Sequence, residues 1–278
     1  EWVWGVASCE IEEALDPSQR EPYVILMYHW VRTFFKWQDP HITEHEKDIQ
    51  IYIAIHRSLA KSDDEILRFH LLVHEYPQWL EADQRMVDQT ISRFDLLYKE
   101  ISAHLTFPDR FLLYRQIQRH IAPFNILKEI VDEEKHEFKK IISDKALFTQ
   151  KVKDMCEKKY KEIQKKVNRG IVRSIIYIFV TKVLIALLLE IPYELYRFGA
   201  LTMIPIGINI VFPPAMMWLI GLTIKAPGSK NTERILTKLH TVVYQEDSVT
   251  QSQISVMKSK GSFLQTIFTF IYGVLFLL

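Results

Sequence analysis

The chain is poor in the residues that punctuate or staple many small folds. It has eight glycines, and none lies between Gly5 and Gly170. No glycine-rich phosphate loop, nucleotide fingerprint or serine elbow can be written on it, which removes three common enzyme signatures. Its two cysteines, Cys9 and Cys156, are too few and too distant for a disulfide framework or a cysteine-rich metal site. They read as reduced thiols facing a reducing cytosol. An excess of charge is also missing: the formal net charge is +1, so bulk electrostatics gives no reason to expect a nucleic-acid partner. Strand-like alternation is confined to Ile49-Gln50-Ile51-Tyr52-Ile53, and Ile55 and Leu59 restore helical spacing just beyond it. No secretory signal pattern is visible. The chain opens at Glu1 and stops at Leu278 inside an apolar run, so a piece of a longer reading frame is expected.

What is present divides in two. Up to Arg169 the chain is rich in charge; from Gly170 apolar runs alternate with short polar stretches. The first part reads as successive helices: Glu1–Leu15, then Pro22–Phe35 with proline in its first turn, where no N–H is needed. Two capping boxes follow, Thr43 with Glu46 opening a helix to Ala60, and Ser62 with Glu65 opening another to Tyr76. Apolar spacing predicts one long helix over Trp79–Leu105, then helices around Phe111–Ile121 and Ile126–Phe138. The expected fold is all-α, a soluble helical domain over 1–143 built as an irregular bundle or as stacked helical pairs. Trp2, Trp4, Trp30, Trp37 and Trp79 are assigned to packing between these helices.

A basic helix is expected over 144–170. Lys158, Lys159, Lys165, Lys166, Arg169 and, just past it, Arg173 are its candidates for contact with anionic lipid headgroups, at about 1 kcal/mol per basic residue near a membrane surface. A transmembrane hairpin is expected over 171–224, with spans at 171–189 and 201–224. Aliphatic and aromatic side chains of the first span favour insertion by about 3–6 kcal/mol, against a cost of about 2.5–3.5 for Lys182. Pro205, Pro213 and Pro214 should bend the second span or split it at the proline pair. In the linker 225–262, Asn231 or Thr232 should cap an amphipathic helix, lying on the membrane or packed against the helical domain. A third span begins at 263–278. Lysine and arginine crowd the flanks before the first span and after the second, whereas Glu190–Ala200 carries only Arg197. This places the N-terminal domain in the cytoplasm and the protein in the inner membrane.

Lys182 is the residue most in need of a partner, because ionisable groups inside spans usually serve a function or a clasp. It lies about 12 Å below the outward turn, at the depth of Asn209 on the second span. A cross-hairpin hydrogen bond from Lys182 to the Asn209 oxygen, aided by Thr181, is therefore expected. His70 and His74 lie one helical turn apart, as do His41 and His45, but neither pair forms His-Glu-x-x-His, and His70 and His74 are only weak metal candidates. No catalytic residue and no cofactor is assigned.

The stretches Lys47-Asp48-Ile49-Gln50-Ile51-Tyr52-Ile53-Ala54, Leu189-Glu190-Ile191-Pro192-Tyr193-Glu194, Phe212-Pro213-Pro214-Ala215-Met216-Met217 and Asn231-Thr232-Glu233-Arg234 resemble an uncharacterised multi-pass membrane-protein family of candidate-phylum bacteria. The resemblance implies the same layout and no activity. The reading is a membrane-anchored interaction or scaffold protein whose partners are the bilayer, its anionic headgroups and another protein. The alternatives are a transporter or channel component using Lys182 and, more distantly, a membrane-bound metallohydrolase.

Overall fold

The computed structural model describes residues 2–15, 20–37, 42–199, 201, 203–245, 254–255, 267–270 and 272–273. Among these the fold is all-α, apart from a two-residue parallel pairing of Phe35–Lys36 with Ile254–Ser255. Compact packing separates Glu1–Lys128 together with Leu239–Leu278 from Glu129–Lys238, a coarser partition than the five segments read from sequence.

The first unit contains α1 (Trp2–Leu15), α2 (Glu21–Phe34), α3 (Glu44–Ile55), α4 (Asp64–Glu75), α5 (Gln84–Ser92), α6 (Phe94–Leu105), α7 (Arg110–Gln118) and the first part of α8 (Ile121–Glu133). At its centre is α3, buried at every position from Ile49 to Ile55 and packed against α2, α6 and α7. The brief alternation there is thus a helix enclosed on all sides, largely apolar, whose buried Gln50 donates to the His104 carbonyl at 2.9 Å. Val24, Met27, Ile53, Leu67, Leu113 and Phe124 complete the core.

Local signals were kept where tertiary demands did not compete. Thr43 caps α3 as a reciprocal box with Glu46. Ser62 does not cap α4. Asp63 does so, accepting from the amides of Glu65 and Ile66, while the Ser62 hydroxyl lies 3.3 Å from His56 Nδ1. The single helix expected over Trp79–Leu105 is three pieces: a 3-10 turn at Pro77–Glu81, α5 capped by Asp83, and α6 after a break at Arg93. Helix α8 begins at Ile121, with Pro123 inside its first turn rather than ahead of it. Trp2 meets Phe94 edge-on and Trp30 meets Phe124, as inter-helix packing requires. Trp4 departs from that expectation; it is 78% exposed.

The second unit contains the end of α8, α9 (Phe138–Ser143), α10 (Lys145–Ile185), α11 (Ile191–Phe198), α12 (Met203–Thr223) and the start of α13 (Ser229–Tyr244). Asp144 caps α10, accepting from the amides of Ala146 and Leu147. The helix passes through Gly170 unbroken, and a π-helical turn at Ala186–Glu190 joins it to α11. The outward turn expected over Glu190–Ala200 is therefore mostly helix. It ends at Gly199, whose φ of 66° is the left-handed conformation that glycine adopts without a Cβ penalty.

Helix α12 runs continuously through Pro213 and Pro214, so no split occurs at the pair. A Cβ on Gly221 would stand 2.7 Å from Ile171 Cγ2, so the missing side chain lets α10 and α12 approach closely. The α13 helix starts at Ser229, ahead of the expected caps. Asn231 and Thr232 lie inside it and instead bond the Tyr160 hydroxyl, at 2.9 and 3.3 Å. Ile235, Leu236 and Leu239 of α13 are buried, which favours packing on protein over lying on lipid. His41 and most of the third apolar run lie outside the described residues; in that run, 267–270 and 272–273 are helical.

Candidate functional site

Two clusters of ionisable side chains stand out, each within one unit. The first lies in the N-terminal unit, where α2 supplies Glu21, the turn after α3 supplies His56, and α4 supplies His70. The turn His56–Ala60 is π-helical and ends at Lys61 in the left-handed region, φ 58°. Single π turns occur often at functional positions. Here the turn opens with His56, whose side chain is 1% exposed.

His56 Nε2 lies 3.4 Å from Glu21 Oε2, and His70 Nδ1 lies 3.6 Å from that same oxygen. Tyr52 donates to the other carboxylate oxygen at 3.0 Å. The two imidazoles are tilted against each other with ring centroids 4.5 Å apart. His56 Nε2 is buried and makes no aligned hydrogen bond despite its distance from Glu21. One ligand atom from each of Glu21, His56 and His70 falls within 4.8 Å of the others.

The electrostatics follow from this enclosure. Burial, reinforced by His56, pushes the His70 imidazole down to about 4, so it is neutral at pH 7; the Glu21 charge pulls weakly the other way. Burial would lift the Glu21 carboxyl, but the close approach of His56, then of His70 and the Tyr52 hydroxyl, outweighs it and holds Glu21 below the ordinary carboxylate value. Burial and the adjacent Glu21 charge raise the Tyr52 phenol. At neutral pH a Glu21 carboxylate thus stands beside a neutral His70 imidazole.

The expected helical pair His70 and His74 does not converge. His74 stacks on Tyr52, centroids 4.7 Å apart, and His45 pairs with Glu75 at 3.4 Å. Glu21 and His56 carried no sequence signal, because they lie far from His70 in the chain and meet it only through the packing of α2, α3 and α4.

The second cluster lies on the apolar hairpin. Lys182 Nζ donates to Asn209 Oδ1 at 3.5 Å, a long contact, and the Asn209 amide donates to Glu190. Thr181 takes no part: its hydroxyl donates to the Tyr177 carbonyl at 2.7 Å. The sequence pattern places Glu190 at the start of the outward turn. Eight residues of regular α-helix would set it about 80° around from Lys182, and the wider π turn between them brings it back toward the same face. Pro213 and Pro214 lack the N–H groups that would bond the carbonyls of Asn209 and Ile210, so backbone acceptors are added at the same level.

The basic helix divides as well. Lys158 pairs with Glu133, Lys159 with Glu129 at 2.6 Å, and Lys151 with Glu134. These lysines therefore neutralise the acidic end of α8 rather than standing free for lipid. Lys165, Lys166, Arg169 and Arg173 show no ion pair among the described residues, and they are the four nearest the apolar stretch.

Compared with known proteins, the chain matches no family model, and no curated protein or solved structure is significantly similar to it.

Proposed function

We propose that this chain is a membrane-anchored interaction protein, with its helical N-terminal unit on the cytoplasmic side. The observation that carries the reading is the exposure of the hairpin. Two helical stretches, Lys145–Phe198 and Met203–Thr223, hold runs long and apolar enough to cross a bilayer, and only 6% of each apolar window is buried within the protein. A core helix of a water-soluble fold would be covered. Here Leu188, Ile204, Phe212 and Trp218 all face outward. Contiguous apolar surface on that scale is foreign to soluble monomers and suits lipid. The hydrogen bonds that Asn209 accepts from Lys182 and donates to Glu190 lower the cost of carrying charge into such a region.

The interaction role draws on α1. Trp4, Ile11 and Leu15 are strongly exposed and fall on one face at helical spacing, an apolar stripe suited to a helical partner. Lys165, Lys166, Arg169 and Arg173 would hold the hairpin's cytoplasmic end against anionic headgroups.

The test is fractionation of the full chain. It should stay with alkaline-washed membranes and leave them only in detergent; recovery as a folded monomer in a detergent-free supernatant overturns the anchor. Exchange of Trp4 and Ile11 for aspartate should then abolish partner cross-linking without changing membrane retention. A second reading, a transporter component, is favoured by the charged groups of Lys182 and Glu190 within the hairpin. Ion flux in proteoliposomes that Lys182→Ala removes would establish that reading instead.

A further inference from the structure

The Glu21, His56 and His70 cluster poses a chemical problem in its own right. A buried polar atom without a partner costs about 1–3 kcal/mol, so native folds rarely leave one. His56 Nε2 is such an atom, and it is aimed at a carboxylate oxygen 3.4 Å away without being aligned to share a proton with it. His56 Nδ1 is already engaged at 3.3 Å by Ser62, which orients the ring and leaves Nε2 as the outward-acting nitrogen. A cation held between that nitrogen and the carboxylate oxygen would satisfy both atoms at once.

We infer that Glu21, His56 and His70 form a binding site for a divalent transition metal, with zinc the best match. The ligands would be Glu21 Oε2, His56 Nε2 and His70 Nδ1. Ligand atoms bound tetrahedrally at about 2.0–2.1 Å stand about 3.3 Å apart. The observed separations from Glu21 Oε2, 3.4 and 3.6 Å, are close to that edge. Two imidazoles and one carboxylate select zinc and its neighbours over magnesium or calcium, which take oxygen ligands.

A supporting shell is in place. Tyr52 fixes the free oxygen of Glu21, and Ser62 fixes the far nitrogen of His56, the type of outer contacts that hold zinc ligands in orientation. This also accounts for why Ser62 gives up the helix cap to Asp63. Three protein ligands leave a fourth position for water or a ligand atom, on the side where Glu21 is 22% exposed.

The test uses the full chain, purified in detergent without a histidine tag and stripped with a chelator. Zinc is titrated against a chromophoric competitor, and cobalt is added separately to read tetrahedral coordination from its visible absorption. The wild type should take up one zinc per chain and melt at higher temperature with zinc. Glu21→Gln and His70→Ala should each weaken binding by at least about 100-fold, and Tyr52→Phe by about 10- to 100-fold. His45→Ala, exposed and paired with Glu75 rather than with the cluster, should bind as the wild type does. Far-UV circular dichroism reports folding, and Glu21→Gln, nearly isosteric and partly exposed, carries the test if a histidine variant unfolds. No stoichiometric uptake by the wild type, or equal affinity in Glu21→Gln, His70→Ala and wild type, overturns the site.

Discussion

The two ionisable clusters are built from similar parts and placed in opposite surroundings. Glu21, His56 and His70 are enclosed by α2, α3 and α4, so protein replaces water around them. Lys182, Asn209 and Glu190 sit among apolar side chains that point away from the protein, and their surroundings are set by whatever solvent the hairpin meets. In the first, burial, reinforced by His56, holds the His70 imidazole neutral. In the second, the side chains must satisfy one another. The lesson is that a polar group inside an apolar region is read from its partners, and the partners are supplied by different means: tertiary packing in one unit, a π turn and a neighbouring helix in the other.

The contrast can be broken hardest by removing volume. Phe124 is fully buried, so Phe124→Ala should cost about 3–5 kcal/mol. Phe212→Ala, on the outward face of α12, should leave the denaturation midpoint in detergent almost unchanged. Equal effects would mean that the hairpin is packed like a soluble core.

Acid should separate the clusters next. In the metal-free protein His70 titrates near 4 when folded and near 6.5 when unfolded. Between those values the unfolded chain binds more protons, so stability falls as pH drops from 6.5 to 4 and levels off below. The loss should approach about 3 kcal/mol. Urea midpoints measured across that range should slope in the wild type and slope less in His70→Asn, where the similarly lowered His74 and His104 remain.

Gly221→Leu should come third. A side chain there collides with Ile171, so the α10–α12 contact should loosen by about 1–3 kcal/mol, read as a lower melting temperature in detergent. The smallest effect is expected from Asn209→Ala, about 0.6–2 kcal/mol on hairpin stability, because it deletes hydrogen bonds to Lys182 and Glu190 without removing volume from a packed core. A loss above that range would mean that the charges are far drier than an exposed hairpin allows.

Much of the helical layout was legible because its signals are local. Thr43 and Glu46 announce α3, and the prolines and capping residues set most boundaries. Ser62 misled because a distant histidine claims its hydroxyl, which no local rule can weigh. The break at Arg93 was hidden because neither glycine nor proline marks it. The basic helix looked free only while it was read alone. Glu129, Glu133 and Glu134, just upstream, were a visible complement that helical periodicity does not pair with it. Lys182 and Asn209 could be matched by depth, whereas Glu190 needed the π turn, which leaves no compositional trace.

The unbroken run of α10 has a mechanical consequence. Its 41 residues make a single strut about 60 Å long. Its capped end grips the acidic tail of α8 through lysines, and its far end carries Lys182. Under the proposed topology, a change in bilayer thickness that tilts the apolar half swings the charged half with it, since no hinge lies between them to absorb the rotation. Membrane thickness would thereby be converted into displacement at the lysine–glutamate contacts about 35–47 Å along the helix from Lys182.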